Sequence, residues 1–418
     1  MIRETSLPPD ALRLARALVD RPGLAVLATA PGDGSSFVAC EPTGESDALV
    51  PDVVPGASGW AGLAAAPRWI GVVPYEHFRG LERADWTRTE RRPAPMLSRP
   101  RWLHYASVLR IDHASGIVSV EADDAASAER LVRLASRAPV ERERVSLELL
   151  ADADDEAAHV RRIARALELI EAGDVYQVNL ARRLAFAMKG HPLDLFAAMW
   201  RRSPAPYGVL LDLGDAHVVG ASPELSIEVR GGRLRTSPIK GTRPRGRDAT
   251  HDARLKAELE ADPKERAELA MTVDLHRNDL GKVARTGSVR VLGEPTVTAA
   301  ATVHSREARV VALRDVRATL SAIASACLPA GSVTGAPKVR AMEIIADLEA
   351  HRRGLYTGAM GYVGRDGALV LAMAIRTATV AGGVAHYFAG GGIVWGSDPA
   401  REVEETRWKA VQIATNIG

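Results

Sequence analysis

Residues 225–236 read LSIEVRGGRLRT. Leu225, Ile227 and Val229 alternate with polar residues, two glycines follow, and Leu234 and Thr236 resume the alternation. A period of two on both sides of Gly231-Gly232 predicts a β-hairpin with a two-residue turn. Such a turn pairs Arg230 with Arg233 and, continued outward, sets Glu224 across from Ile239 and beside Lys240, with Pro238 ending the regular ladder. A second hairpin is predicted at Gly382-Gly383, between GALVLAMAIRTATV and VAHYFAGGGIV. Its register places Arg376 opposite Ala389, next to Gly390-Gly391-Gly392, where a ligand could come close to backbone N–H groups. Helices bracket these strands. Val160, Ile163, Leu167 and Ile170 recur at helical spacing over 155–172, Gly173 stops the helix, and the strand VYQVNLARRLAFAM follows. Asp262-Pro263-Lys264-Glu265 is a capping box opening a helix toward Gly281, and Asp398-Pro399 opens a last one. Hairpins outnumber βαβ units, so the predicted fold is α/β of the α+β kind, with large antiparallel sheets forming a sandwich under outer helices.

Composition narrows the function. The 418 residues are 46% apolar and 25% charged, which predicts a folded, soluble chain. The start carries charges and no apolar h-region, and no run is long and apolar enough for a membrane span, so a cytoplasmic protein is expected. Two cysteines, Cys40 and Cys327, stand far apart, which argues against a disulfide framework or a zinc site. Net charge is +2, and the 52 acidic residues are interspersed with the basic ones, which argues against nucleic acid. Of 54 basic residues only 7 are lysine, and none lies before Lys189, so each lysine position carries weight. By texture the chain divides into a Pro/Gly-rich region 1–112 packed with the core, a connector 113–154, and a region 155–415 where the helix and strand signals sharpen.

Several groupings could carry chemistry. Glu402, Glu405 and Lys409 share one helix face and could hold a metal and an anion together; the same spacing also makes an ordinary solvated ion-pair face. Glu265 and Glu268 share a face of the helix after Asp262, as cap partner and surface residue; the run MTVDLHRNDLG that follows gives Glu268 added interest. Lys240, in PIKGTRPRG, sits in a rigid loop that is either simply basic or has a task. The run SVTGAPK, residues 332–338, could offer backbone N–H groups to an anion, and is equally common helix-start grammar.

Together, VYQVNLARR, ASPEL, PIKGTRPRG, ERAELAMTVDLHRNDLG, SVTGAPKVRAMEII, YTGAMGY, AIRTA, GGGIVWGSDP and EVEETRWKA resemble the chorismate-utilising enzyme family, in order, over about residues 155–415. The resemblance implies chorismate as substrate and Mg²⁺ held by Glu268, Glu402 and Glu405. It implies Arg376 and the Gly390, Gly391 and Gly392 backbone at the enolpyruvyl carboxylate, and Lys409 at the ring carboxylate. Further substrate contacts fall to Gln177, Thr242, Thr334 and Tyr356. Water-adding members carry a lysine where Gln177 stands, so water addition is not implied.

Anthranilate synthases usually have Ala at position 240 of this motif, and aminodeoxychorismate synthases Lys. The resemblance therefore implies component I of the aminodeoxychorismate type, serving 4-aminobenzoate and folate synthesis. Glu224 would be the general acid for the 4-hydroxyl, and neutral Lys240 the nucleophile of a covalent intermediate. Anthranilate synthase component I is the alternative. Neither cysteine sits in a Gly-flanked nucleophile turn, so a glutaminase partner delivering ammonia is expected. The segment FVACEP lacks the L-L-E-S-type motif associated with tryptophan feedback, and His304 has no assigned role.

Overall fold

The computed structural model describes residues 1–30, 34–53, 66–80, 92–140, 144–151, 154–299 and 303–413. Among the described residues a twelve-stranded sheet, a nine-stranded sheet and a separate three-stranded sheet form. Their ladders are antiparallel, and the two large sheets make the predicted sandwich. Alternation along single strands sorts side chains to either face. Ala25, Leu27 and Phe37 of the larger sheet meet Ile70, Val72, Leu103 and Met360 of the other in one buried layer. Val26 and Val38, adjacent to them in sequence, face outward under Leu14, Leu134, Phe196 and Met199 of the outer helices. Ile227, Val229 and Leu371 of the second sheet pack with Ile163, Leu269, Ile323 and Ile344 of another helical layer.

The amino-terminal region is woven into both sheets. Ala25–Ala28 pairs with Tyr207–Asp212, and Pro67–Val73 pairs with Ala359–Gly364. Residues 113–154 contribute the strand Val118–Ala122, the helix Ala125–Ala135 and the strand Ser146–Leu149.

The first hairpin turns at Gly231-Gly232, both with positive φ, as a two-residue turn of this hand requires. Arg230↔Arg233, Val229↔Leu234 and Glu228↔Arg235 pair in the predicted register. A β-bulge then slips it by one, so that Leu225 faces Ser237 and Glu224 leaves its predicted place opposite Ile239. The second hairpin turns at Gly382-Gly383 with Ala381↔Val384 through Ala378↔Tyr387 in register. Its first strand is broken, however. Leu369–Met373 belongs to the nine-stranded sheet and Thr377–Ala381 to the twelve-stranded one. The chain crosses between them at Arg376, whose φ of 53° takes it out of the ladder and away from a position opposite Ala389.

The helices read from the sequence begin within a residue of their expected starts. Asp155 caps Glu156–Glu171, Asp398 caps Pro399–Ala410, and Asp262 caps Pro263–Gly281 by accepting the Lys264 and Glu265 N–H groups. Glu265 does not complete a capping box with its carboxylate, which turns to Arg243 instead.

Candidate active site

The strand Gln177–Lys189 pairs along its length with Val384–Val394, bringing Gln177 opposite Val394 and Asn179 opposite Gly392. The glycines make this wall thin. A Cβ on Gly391 would lie 2.9 Å from Glu402 Oε2 and 3.6 Å from Glu405 Oε1. One on Gly392 would lie 3.1 Å from Gln177 Nε2 and 3.4 Å from Lys240 Nζ. Both ends of the Gln177 amide are buried without a hydrogen-bond partner, a costly state unless a ligand meets them.

Glu224 is 4% exposed, and its Oε1 accepts the Ser332 hydroxyl at 2.9 Å. Burial raises its pKa to about 7, opposed by the Ser332 hydrogen bond, the Lys240 charge and the Ile239 N–H. The carboxyl is thus a proton donor near neutrality. Lys240 is half-buried as a residue, and its Nζ reaches inward to the Ser332 carbonyl at 3.3 Å. Burial lowers its pKa, while the carboxylates of Glu268, Glu224 and Glu405 pull the other way.

The predicted ligand carboxylates act on one another. Burial raises Glu268, with Glu265 and Glu405 adding to the effect, and burial raises Glu402 with Glu405 adding. Glu405 is lowered, chiefly by Lys409. Lys409 Nζ donates to this carboxylate and to the Gly390 carbonyl. Among the described residues no three His, Cys, Asp or Glu side chains close into a ready metal cage. The donor chemistry nonetheless suits Mg²⁺, a hard cation that takes few carboxylates and leaves positions to water and substrate oxygens. A divalent cation would also offset the burial, and the lesser mutual repulsion, that raise Glu268 and Glu402.

Tyr356 stacks on Phe388 with ring centroids 5.3 Å apart. Arg376 lies close enough to influence Tyr356 and Glu405. Thr334 is buried in the turn after Ser332, its carbonyl accepting the Asn179 N–H at 2.8 Å. Thr242 is not gathered in. It is exposed on the strand Ile239–Pro244, two residues past Lys240, where a bulge in the pairing interrupts the alternation. His304 is buried and bonds Asp252 at 2.9 Å. Burial pushes both cysteine thiols up to about 12, so neither is a thiolate nucleophile.

Two contributors were missed from sequence. Ser332 lay within a quoted motif without a role; its signal was a small hydroxyl residue in a Gly/Pro turn. Arg353, in HRRGLY, reads as surface charge and is fully buried; nothing in its local pattern marks it.

The chain belongs to the family of chorismate binding enzymes, which matches residues 45–415. It is 48% identical over 264 residues to anthranilate synthase component 1 of Streptomyces coelicolor, covering 63% of this chain and 52% of that one. It is 47% identical over 254 residues to the Thermus thermophilus protein of the same name, covering 60% and 55%. The chain therefore spans about half the length of these curated relatives. The solved structure of anthranilate synthase component I from Streptococcus pneumoniae superposes with a TM-score of 0.78 at 27% identity, over 92% of this chain and 93% of that one. These likenesses overturn the expectation of an aminodeoxychorismate synthase serving folate synthesis. That reading leaned chiefly on Lys240, a single position, against similarity spread over more than half the chain. No helix among the described residues is long and apolar enough to cross a membrane.

Proposed function

We propose that this chain converts chorismate and ammonia to anthranilate, pyruvate and water, as an anthranilate synthase component I. The observation that carries the reading is the 48% identity to a protein of that name over the region that holds the site. Gln177 agrees with it, since an amide cannot serve as the base that activates water for addition.

Each residue then has a task. Arg376 and the Gly390–Gly392 backbone take the enolpyruvyl carboxylate, with Tyr356, Thr334 and Gln177 bordering the ring. Glu268, Glu402 and Glu405 hold Mg²⁺, which when bound neutralises the ring carboxylate and fixes the ring; Lys409 assists from the same helix. Glu224, protonated, gives its proton to the departing 4-hydroxyl, which leaves as water. Ammonia forms the new C–N bond at C2. Loss of the C2 proton and protonation of the enolpyruvyl methylene then release pyruvate and make the ring aromatic. Lys240 anchors Ser332 and balances the surrounding carboxylates, with no covalent step assigned to it. Both thiols being inert, the nitrogen arrives as ammonia, from a separate glutaminase subunit or from added ammonium.

The test is to incubate the chain with chorismate, Mg²⁺ and ammonium at about pH 8.5, where more of the nitrogen is free ammonia. Anthranilate and pyruvate in equal amounts are expected. A 4-amino product with the enolpyruvyl group still attached would sink the reading.

A further inference from the structure

The strand Gln177–Lys189 has one edge paired without a break from Gln177 to Ala187, but the other is interrupted. Gln177 and Val178 pair with Gly335–Ala336, and Phe186–Lys189 pair with Ser146–Leu149. Between them no strand runs alongside among the described residues. Buried N–H and C=O groups left open there would be costly. Side chains take the place of the missing strand. Glu349 Oε1 accepts the Ala181 N–H at 2.9 Å, Arg353 Nη2 donates to the Asn179 carbonyl at 2.8 Å, and Asp154 Oδ2 accepts the Arg183 N–H at 3.0 Å.

Arg353 and Glu349 also bind each other, Nε to Oε2 at 2.9 Å and Nη2 to Oε1 at 2.7 Å, both sealed from solvent. The remaining nitrogen, Nη1, donates to the Val333 carbonyl and to Thr357 Oγ1, each at 3.0 Å. The rings of Tyr75 and Tyr356 lie 5.0 and 5.4 Å from the guanidinium. The turn at 332–334 is thus hung from Asn179 at two points. Thr334 accepts the Asn179 N–H directly, and Val333 is tied to the Asn179 carbonyl through the Arg353 fork.

We propose that Arg353, braced by Glu349, is a positioning residue: it holds the Ser332–Thr334 turn where the Ser332 hydroxyl grips the Glu224 carboxyl. The proposal rests on the reading of Glu224 as proton donor. The groups facing Glu224 are Ser332, Lys240, the Ile239 N–H and Glu307; the first three favour the carboxylate, while Glu307 and burial disfavour it. Letting go of Ser332 therefore moves the Glu224 titration upward.

The test follows chorismate loss, whatever product forms, in the full chain with ammonium as nitrogen donor. Arg353→Lys keeps the charge and loses the planar fork. We expect kcat to fall about a hundredfold with KM within about threefold. The alkaline limb of the kcat profile should move upward as far as in Ser332→Ala, and the double variant should be no worse than the poorer single. An unmoved limb with additive effects would reduce Arg353 to a stability clamp and overturn the proposal. Glu349→Gln, of the same shape, should move the limb in the same direction by less, and it serves if Arg353→Lys does not fold. If the unmodified chain consumes no chorismate, the functional reading fails by itself. Positioning is then read by carbon-13 NMR titration of Glu224 in the unmodified chain and Glu349→Gln: an upward shift supports it, and an unmoved titration refutes it.

Discussion

The site has two unlike walls. The glycine wall, Val384–Val394, pairs along its whole length with the strand Gln177–Lys189, pairs over Val384–Tyr387 with Thr377–Ala381 as well, and is backed by the helix Pro399–Ala410. The opposite wall is the three-stranded sheet of Ile239–Pro244, Thr296–Ala299 and Val303–Glu307, which carries Lys240. Its covering helix, Ala249–Ala261, buries only Leu259. Few buried apolar contacts mean a low local opening energy. The difference teaches where precision is needed: Gly390–Gly392 and the candidate ligands Glu402 and Glu405 sit on the firm wall, the candidate ligand Glu268 comes from the helix Pro263–Gly281, and Lys240 comes from the looser wall.

The largest effect is expected from Glu224→Gln, where the chain passes from the strand His217–Ser222 of the larger sheet to Leu225–Arg230 of the nine-stranded one. Removal of a general acid is expected to lower kcat by about 10²–10⁴-fold with KM little changed, read by steady-state kinetics. The same carboxyl sets a pH dependence. Its folded pKa of about 7 is raised above the ordinary carboxylate value. At constant free ammonia, kcat should therefore decline as pH rises through that value, and a rate still climbing at pH 9 would remove Glu224 from the role. The linked stability has the same sign: present at acid pH, it is lost as pH rises through about 7, and Glu224→Gln should abolish that dependence in denaturant titrations.

Next in size is the firm wall. Gly391→Ala presses a methyl against Glu402, and the Mg²⁺ concentration for half-maximal rate should rise about tenfold. Lys240→Ala, on the looser wall, should change kcat by less than about tenfold and leave anthranilate as product; a switch of product would make Lys240 decisive after all. Smallest is Asp248→Ala. It removes the cap that accepts the His251 N–H at 2.8 Å, and should cost about 1 kcal/mol in unfolding experiments with kcat nearly unchanged.

How much of this was legible in the sequence depends on the range of the interactions. Both glycine turns, the helices capped by Asp262 and Asp398 and the long strand after Gly173 follow from local grammar. The bulge after Leu225 and the crossing at Arg376 do not, because each is set by which sheet the next few residues must join. At the site, Glu224, Lys240 and the glycine wall came from motif and register. Arg353 and Glu349 stayed hidden because their work is to satisfy a backbone edge some 170 residues away in sequence. Thr242 was carried in by its motif and left outside by the bulge beside it.

The weaving of Ala25–Ala28 against Tyr207–Asp212 also bears on how this chain can be cut. A fragment starting at residue 155 would keep the candidate catalytic side chains yet strip a neighbour from the middle of the larger sheet. A buried ribbon would then become a bare rim of unmatched amides, free to recruit a rim from another molecule. Trimming the protein to its motifs would therefore yield sticky, self-associating material instead of a smaller catalyst.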